Sequence, residues 1–249
     1  MSYADIHIHA LCAVDDGAKT EQEMFQMIDA AYSDGARLIC LTPHYHPGYF
    51  GHNETKIRDC FALLQRREKE NHPDLELYLG NELRYSKACV AWLNNGDCRT
   101  LGGTNKVLID FSQDESRKTI VSGLEELLNG GYQPVLAHVE RYSDLRGKKN
   151  LLRELRANGV RMQVDAGSVV GDFGLRTQLW TKSILAEHLA DLIGSDGHNL
   201  HSRAPGIHRA YQYITKKWGK NYADRICMDN GRSIFVTEDE RKDIDSVYG

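Results

Sequence analysis

The sequence predicts an α/β fold, a barrel of seven parallel strands wrapped by helices, and three observations carry that reading. Short apolar runs alternate with helical patterns along the chain, and ligand-type side chains recur at the carboxyl ends of those runs. The chain has 249 residues, 41% of them hydrophobic, enough for one large core of the size common among β/α barrels.

The first strand is read over 5–9, Asp5-Ile6-His7-Ile8-His9. Alternation places His7 and His9 on one face and Ile6 and Ile8 on the other. Thr20-Glu21-Gln22-Glu23 is a capping box that opens a helix with Met24, Ile28 and Ala31 on one side, and Gly35 closes it in the left-handed conformation. A strand over 38–42 follows, then a helix over 54–71 and a strand over 76–79. The glycine-rich stretch 94–103 reads as a surface loop before a strand over 107–110. Helix 119–129 ends at Gly130-Gly131 ahead of strand 134–137, and helix 151–158 ends at Gly159 ahead of strand 161–165. Helix 175–189 leads to the last strand, 191–194. Strands joined by crossover helices run parallel. No linker or internal repeat interrupts the pattern, so one domain is expected over 1–249, with a charged, fraying end at 238–249.

Composition narrows the function. The net charge is −4, from 31 basic and 35 acidic residues spread through the chain, and no basic stripe suits a nucleic-acid or membrane surface. No apolar run approaches the length of a spanning helix and no secretion signal opens the chain, so a cytoplasmic, soluble protein without membrane insertion is expected. The six cysteines form no C-x-x-C pair and read as reduced thiols. Cys60 and Arg66 have the nominal spacing of a cysteine-dependent phosphatase loop. The intervening Phe61-Ala62-Leu63-Leu64-Gln65 lacks glycine, and Ile57, Phe61 and Leu64 have helical spacing, so a nucleophilic role is set aside.

The active site of a parallel barrel is built at the carboxyl ends of its strands. There stand His44, Glu82, Asp110, His138, Asp196 and His198, joined by His7, His9 and the Asp15-Asp16-Gly17 turn. A histidine and carboxylate set without cysteine suits manganese first, with iron or zinc as alternatives, and not calcium. So many ligands can hold two or three divalent ions, with Glu82 bridging, and paired metals clamp the attacking and leaving oxygens of a phosphoryl group. Arg141 and Arg203 each follow a candidate ligand by a few residues, where their guanidinium groups can bind phosphate oxygens. The competing reading is that both simply pair with loop carboxylates.

The strings His7-x-His9, Asp15-Asp16-Gly17, Thr42-Pro43-His44, Glu82, Ala137-His138-Val139-Glu140-Arg141-Tyr142 and Ser195-Asp196-Gly197-His198-Asn199-Leu200 resemble the polymerase and histidinol phosphatase (PHP) superfamily. Within it the chain is most similar to the metal-dependent tyrosine phosphatases of the CpsB/CapC type. The resemblance implies a distorted barrel of seven strands with a trinuclear centre that hydrolyses phosphotyrosine on a bacterial tyrosine kinase controlling capsular or exopolysaccharide synthesis. It implies His7, His9, Glu82 and Asp196 around one ion, Glu82, Asp110 and His138 around a second, and Asp16, His44 and His198 around a third. Arg141 and Arg203 match its phosphate-binding arginines, and Asp15 is left a capping role. His46, His52 and His201 are expected to face solvent. Asp110 departs from the family's usual glutamate, and the segment 45–52 is less basic than its counterpart. A histidinol-phosphate or other small-molecule phosphomonoesterase on the same scaffold is the alternative.

Overall fold

The computed structural model describes residues 2–50 and 52–236. The charged end at 238–249, expected to fray, lies outside the described residues. Among the described residues the strands are β1 (Tyr3–Ile8), β2 (Ala36–Leu41), β3 (His44–Tyr45), β4 (Glu76–Leu79), β5 (Glu82–Arg84), β6 (Lys106–Asp110), β7 (Gln133–Leu136), β8 (Arg161–Asp165) and β9 (Leu192–Gly194). They form two parallel sheets, β1-β2-β4 and β3-β5-β6-β7-β8-β9.

Nine strands occupy the seven expected positions, because β2 with β3 and β4 with β5 are each one stave broken by two residues. At one break sits Pro43, which has no N–H to give a ladder. Asn81 at the other donates from its side-chain Nδ2 to the Pro43 carbonyl, 2.9 Å away, and so ties the two interruptions together. The curled sheet is drawn together where Ile8 pairs in parallel with Gly197, with His9 N donating to Gly197 O at 2.8 Å and Asp196 N to His7 O at 2.9 Å.

The larger helices are α1 (Glu21–Asp34), α2 (Glu54–Asn71), α3 (Cys89–Asn95), α4 (Arg117–Asn129), α5 (Lys149–Ala157), α6 (Ala166–Val170), α7 (Leu175–Ala186) and α8 (His208–Trp218). Thr20 caps α1 as its sequence signature requires, accepting from Glu23 N at 3.1 Å, and Gly35 ends it at φ 112°.

Two expectations need correction. Ile6 and Ile8 do not share a face. The register of β1 against β2 shifts between Asp5 and Ile8, so Ile6 packs with Cys40, Leu108, Val135 and Leu192, while Ile8 joins the core under α1 and α2. Residues from β1, β2, β6, β7 and β9 can meet only across the barrel lumen, which makes the first group the interior layer beneath the histidines. The stretch 94–103 is not wholly a surface loop either, because it includes the end of α3 and a short helical turn at Leu101–Gly103 that buries Leu101 in that same layer. Helices α3, α6 and α8 carried no sequence assignment; α8 buries Ala210, Tyr211 and Ile214 at helical spacing.

Candidate metal centre

Every candidate ligand read from the sequence arrives at one place, the carboxyl end of the barrel. His7 and His9 come from β1 and the residue beyond it, His44 and Glu82 from the first positions of β3 and β5, and Asp110 from the end of β6. His138 and Asp196 stand just past β7 and β9 in left-handed backbone, φ 33° and 52°. That conformation disfavours L side chains, so tertiary structure holds these two residues in place against a local cost of about 1–3 kcal/mol each. Gly17 permits the acidic turn to lie against the histidine strand, since a Cβ there would meet His9 O at 1.8 Å.

The contacts fall into overlapping groups. His7 Nε2 faces Glu82 Oε1 at 3.4 Å and Asp196 Oδ1 at 3.3 Å, and His9 Nε2 faces Glu82 Oε2 at 3.3 Å and Asp196 Oδ1 at 3.6 Å. His138 Nε2 lies 3.1 Å from Glu82 Oε1 and 3.6 Å from Asp110 Oδ1. Asp16 Oδ1 lies 3.4 Å from His44 Nε2 and 3.5 Å from His198 Nε2, and His9 joins this group as well. Glu82 also meets His44 Nδ1 at 2.9 Å, so one carboxylate touches four imidazoles.

The donor set fits divalent ions, as the hydrogen bonds show. His7 Nδ1 donates to Gln163 Oε1 (3.1 Å), His9 Nδ1 to Asp15 Oδ2 (2.8 Å) and His198 Nδ1 to the Asp196 carbonyl (2.8 Å). Each ring therefore turns its Nε2 lone pair inward when neutral, the arrangement that outer hydrogen-bond partners give to metal-binding histidines. His198 Nε2 is buried without a hydrogen-bond partner, and the Nε2 atoms of His7 and His9 confront each other at 3.2 Å. A cation shared by His7 and His9 and another beside His44 and Asp16 would satisfy all three. Burial, with the charges of His9 and Arg203, pushes the His198 pKa down to about 2 and keeps it neutral, as a ligand must be. Burial opposes the charge on Glu82, but His7, His44 and His138 outweigh it and hold the carboxyl well below its usual range.

Both candidate arginines converge on Asp196. Arg141 Nη2 contacts Asp165 Oδ2 at 2.5 Å and Asp196 Oδ2 at 2.8 Å, and Arg203 Nη2 also bonds Asp196 Oδ2. The expected pairing with carboxylates is thus present, yet one of those carboxylates is itself a candidate ligand. Asp15 has the capping role read for it, accepting from Gly17 N and His44 N at 2.9 Å each. His46, His52 and His201 stay outside the groupings; His52 pairs with Glu54 at 3.4 Å and His46 stacks on Tyr49. Cys60 lies buried on α2, its Sγ 2.8 Å from that of Cys12, and burial with the neighbouring thiol pushes its pKa up to about 12.

Three polar residues had no assigned role. Gln163 Oε1 accepts from His138 N (2.9 Å) as well as from His7, and its Nε2 donates to Asp165 Oδ1 (2.9 Å), so one amide links two candidate ligands to the partner of Arg141. Gln163 and Asp165 alternate at the carboxyl end of β8, the same positional signal that marks the candidate ligands. Arg84 Nη2 pairs with Asp110 Oδ2 at 2.9 Å. Beside the centre opens a cleft of about 540 Å³ lined by Asp16, His44, Tyr49, Phe50, Arg84 and Phe111.

A family model described as capsular polysaccharide synthesis, CpsB/CapC, matches residues 3–236. The tyrosine-protein phosphatase CpsB of Streptococcus pneumoniae is 34% identical over 239 residues, 94% of this chain and 98% of that protein. Crystal structures of YwqE from Bacillus subtilis and CpsB from Streptococcus pneumoniae, described as unique metal-dependent tyrosine phosphatases, give a match at TM-score 0.85 with 28% identity, covering 94% of each chain. The histidinol phosphate phosphatase of Lactococcus lactis superposes at TM-score 0.56 with 15% identity, over 87% of this chain and 94% of that one, and shares the fold.

Proposed function

Because the chain belongs to the CpsB/CapC family, we propose that its cluster of five imidazoles and four carboxylates is the centre at which a metal-dependent tyrosine phosphatase hydrolyses phosphotyrosine in polypeptides. The observation that carries this is the common aim of the Nε2 atoms of His7, His9 and His198 at carboxylate oxygens of Glu82, Asp196 and Asp16.

His7, His9, Glu82 and Asp196 would hold one ion, Glu82, Asp110 and His138 a second, and Asp16, His44 and His198 a third, with manganese the first choice and iron or zinc the alternatives. When bound, such ions polarise phosphoryl oxygens and lower the pKa of water toward neutrality. The chain's own groups do the rest. Arg141 and Arg203 orient the phosphate, since a guanidinium has five N–H donors and its carboxylate contacts leave others to offer. Tyr49, Phe50 and Phe111 receive the tyrosyl ring in the cleft, and Gln163 and Asp165 hold His7 and Arg141 in position.

The substrate in the cell is read as a bacterial tyrosine kinase that controls polysaccharide synthesis, met in the cytoplasm by one catalytic domain. Among the described residues no helix is long and apolar enough to cross a membrane. Parallel rates on phosphotyrosine peptides and on histidinol phosphate test the reading. Preference for the peptides is expected, and preference for histidinol phosphate would transfer the chain to the small-molecule alternative.

A further inference from the structure

Between α4 and α5, outside the metal centre, runs a groove of about 900 Å³ whose rim is strongly basic. Arg117 and Lys118 open α4, and Lys148 and Lys149 open α5, with Arg153 one turn on. Lys149 and Arg153 are paired with Glu187 at 3.1 and 2.6 Å. Arg117, Lys118 and Lys148 are exposed and, among the described residues, have no carboxylate within ion-pair range. One carboxylate, Glu125, lines the groove, and the side chains of Val121 and Leu151 give it some apolar wall.

Its position gives the patch a meaning. A helix that follows a barrel strand begins at that strand's carboxyl end, so the first turns of α4 and α5 stand on the catalytic rim. The segment running from β7 to α5 carries His138 and Arg141 and ends at Lys148 on the groove. It is fastened to the other wall where Arg117 N donates to Asp144 Oδ2 at 2.8 Å. A polypeptide whose phosphotyrosine occupies the centre therefore has the groove within reach of its flanking residues.

We propose that this groove binds a carboxylate-rich segment of the substrate polypeptide beside the phosphotyrosine, which makes it a specificity surface; the proposal rests on the phosphatase reading above. Charge complementarity selects the occupant, because unpaired cations around a shallow groove attract aspartate and glutamate side chains and speed encounter. Exposed ion pairs are individually weak, and two or three together amount to about a tenfold gain in affinity.

The test compares wild type with the Lys118→Glu, Lys148→Glu double variant on phosphotyrosine peptides flanked by aspartate or by serine, with p-nitrophenyl phosphate as the small control. Wild type should show a KM about tenfold lower for the aspartate-flanked peptide at low salt, an advantage that fades as salt screens the charges. The variant should lose that advantage while keeping its kcat and its rate on p-nitrophenyl phosphate. Equal KM values for both peptides with wild type, or an unchanged preference in the variant, would overturn the proposal. Failure of wild type to hydrolyse any of the three substrates would instead sink the phosphatase reading beneath it.

Discussion

Arg141 Nη2 sits 2.8 Å from Asp196 Oδ2, while the other oxygen of the same carboxylate faces His7 Nε2 at 3.3 Å. One aspartate thus joins the group proposed to bind phosphate to the group proposed to bind metal. The joint makes the two losses separable in degree. Arg141→Ala or Arg203→Ala should keep bound metal and lose roughly 30-fold in kcat/KM on phosphotyrosine, about 2 kcal/mol of a charge-assisted contact. Asp196→Ala should lose metal itself. Full metal content with unchanged kcat/KM in either arginine variant would remove that arginine from the site.

Asp110 shares its proposed metal-binding carboxylate with partners outside the cluster. Its Oδ2 holds Arg84 at 2.9 Å, its Oδ1 accepts from Tyr142 Oη at 3.2 Å, and His138 Nε2 is 3.6 Å away. A shorter side chain than glutamate, shared with a guanidinium, should give the loosest of the ion sites. Metal titration of stripped protein should show one weak step, tightened by Asp110→Glu and by Arg84→Met. Uniformly tight steps that Asp110→Glu loosens would show a backbone already fitted to aspartate.

The stripped protein should also respond to pH. Burial lowers the pKa of His9, but Asp15 and Glu82 outweigh it and hold it up at about 10; His138, against burial and Arg141, is held up at about 9 by Glu82 and Asp110. A raised histidine contributes stability that is complete below its unfolded value of 6.5 and is lost as pH climbs through the folded value. The Tm of chelated protein should therefore fall from pH 6.5 to 9. Metal-loaded protein should fall less, because the ions take the place of the protons. Identical pH profiles with and without metal would contradict the placement of these two histidines.

The Cys60 thiol, buried on a helix beside Cys12 and with its pKa pushed up to about 12, is no thiolate at neutral pH. Cys60→Ser should retain phosphotyrosine hydrolysis within about twofold, once stability differences are allowed for. Inactivation of a folded, metal-loaded Cys60→Ser protein would point to thiol chemistry.

Much of the site was legible because a barrel gathers strand ends, so polar residues closing apolar runs, such as His44, His138 and Asp196, betray a common destination. Alternation read His7 and His9 onto one face correctly. It misassigned Ile6, because a register shift in β1 leaves no mark in composition. Gln163 and Arg84 escaped for another reason. A lone amide or guanidinium has many uses, and only the fold shows which ligand it holds. The stave breaks at Pro43 and Asn81 likewise depend on a contact between distant segments, the Asn81 side chain on the Pro43 carbonyl.

Phosphate release from phosphotyrosine peptides by chelator-stripped protein, followed as manganese is added back, bears most directly on the metal centre. The stripped protein should be inactive, and activity should return with bound metal; His7→Ala, which removes an imidazole facing Glu82 and Asp196, should not recover at the same concentrations. Full hydrolysis by protein shown to be free of metal would contradict the assignment of this cluster as the catalytic centre.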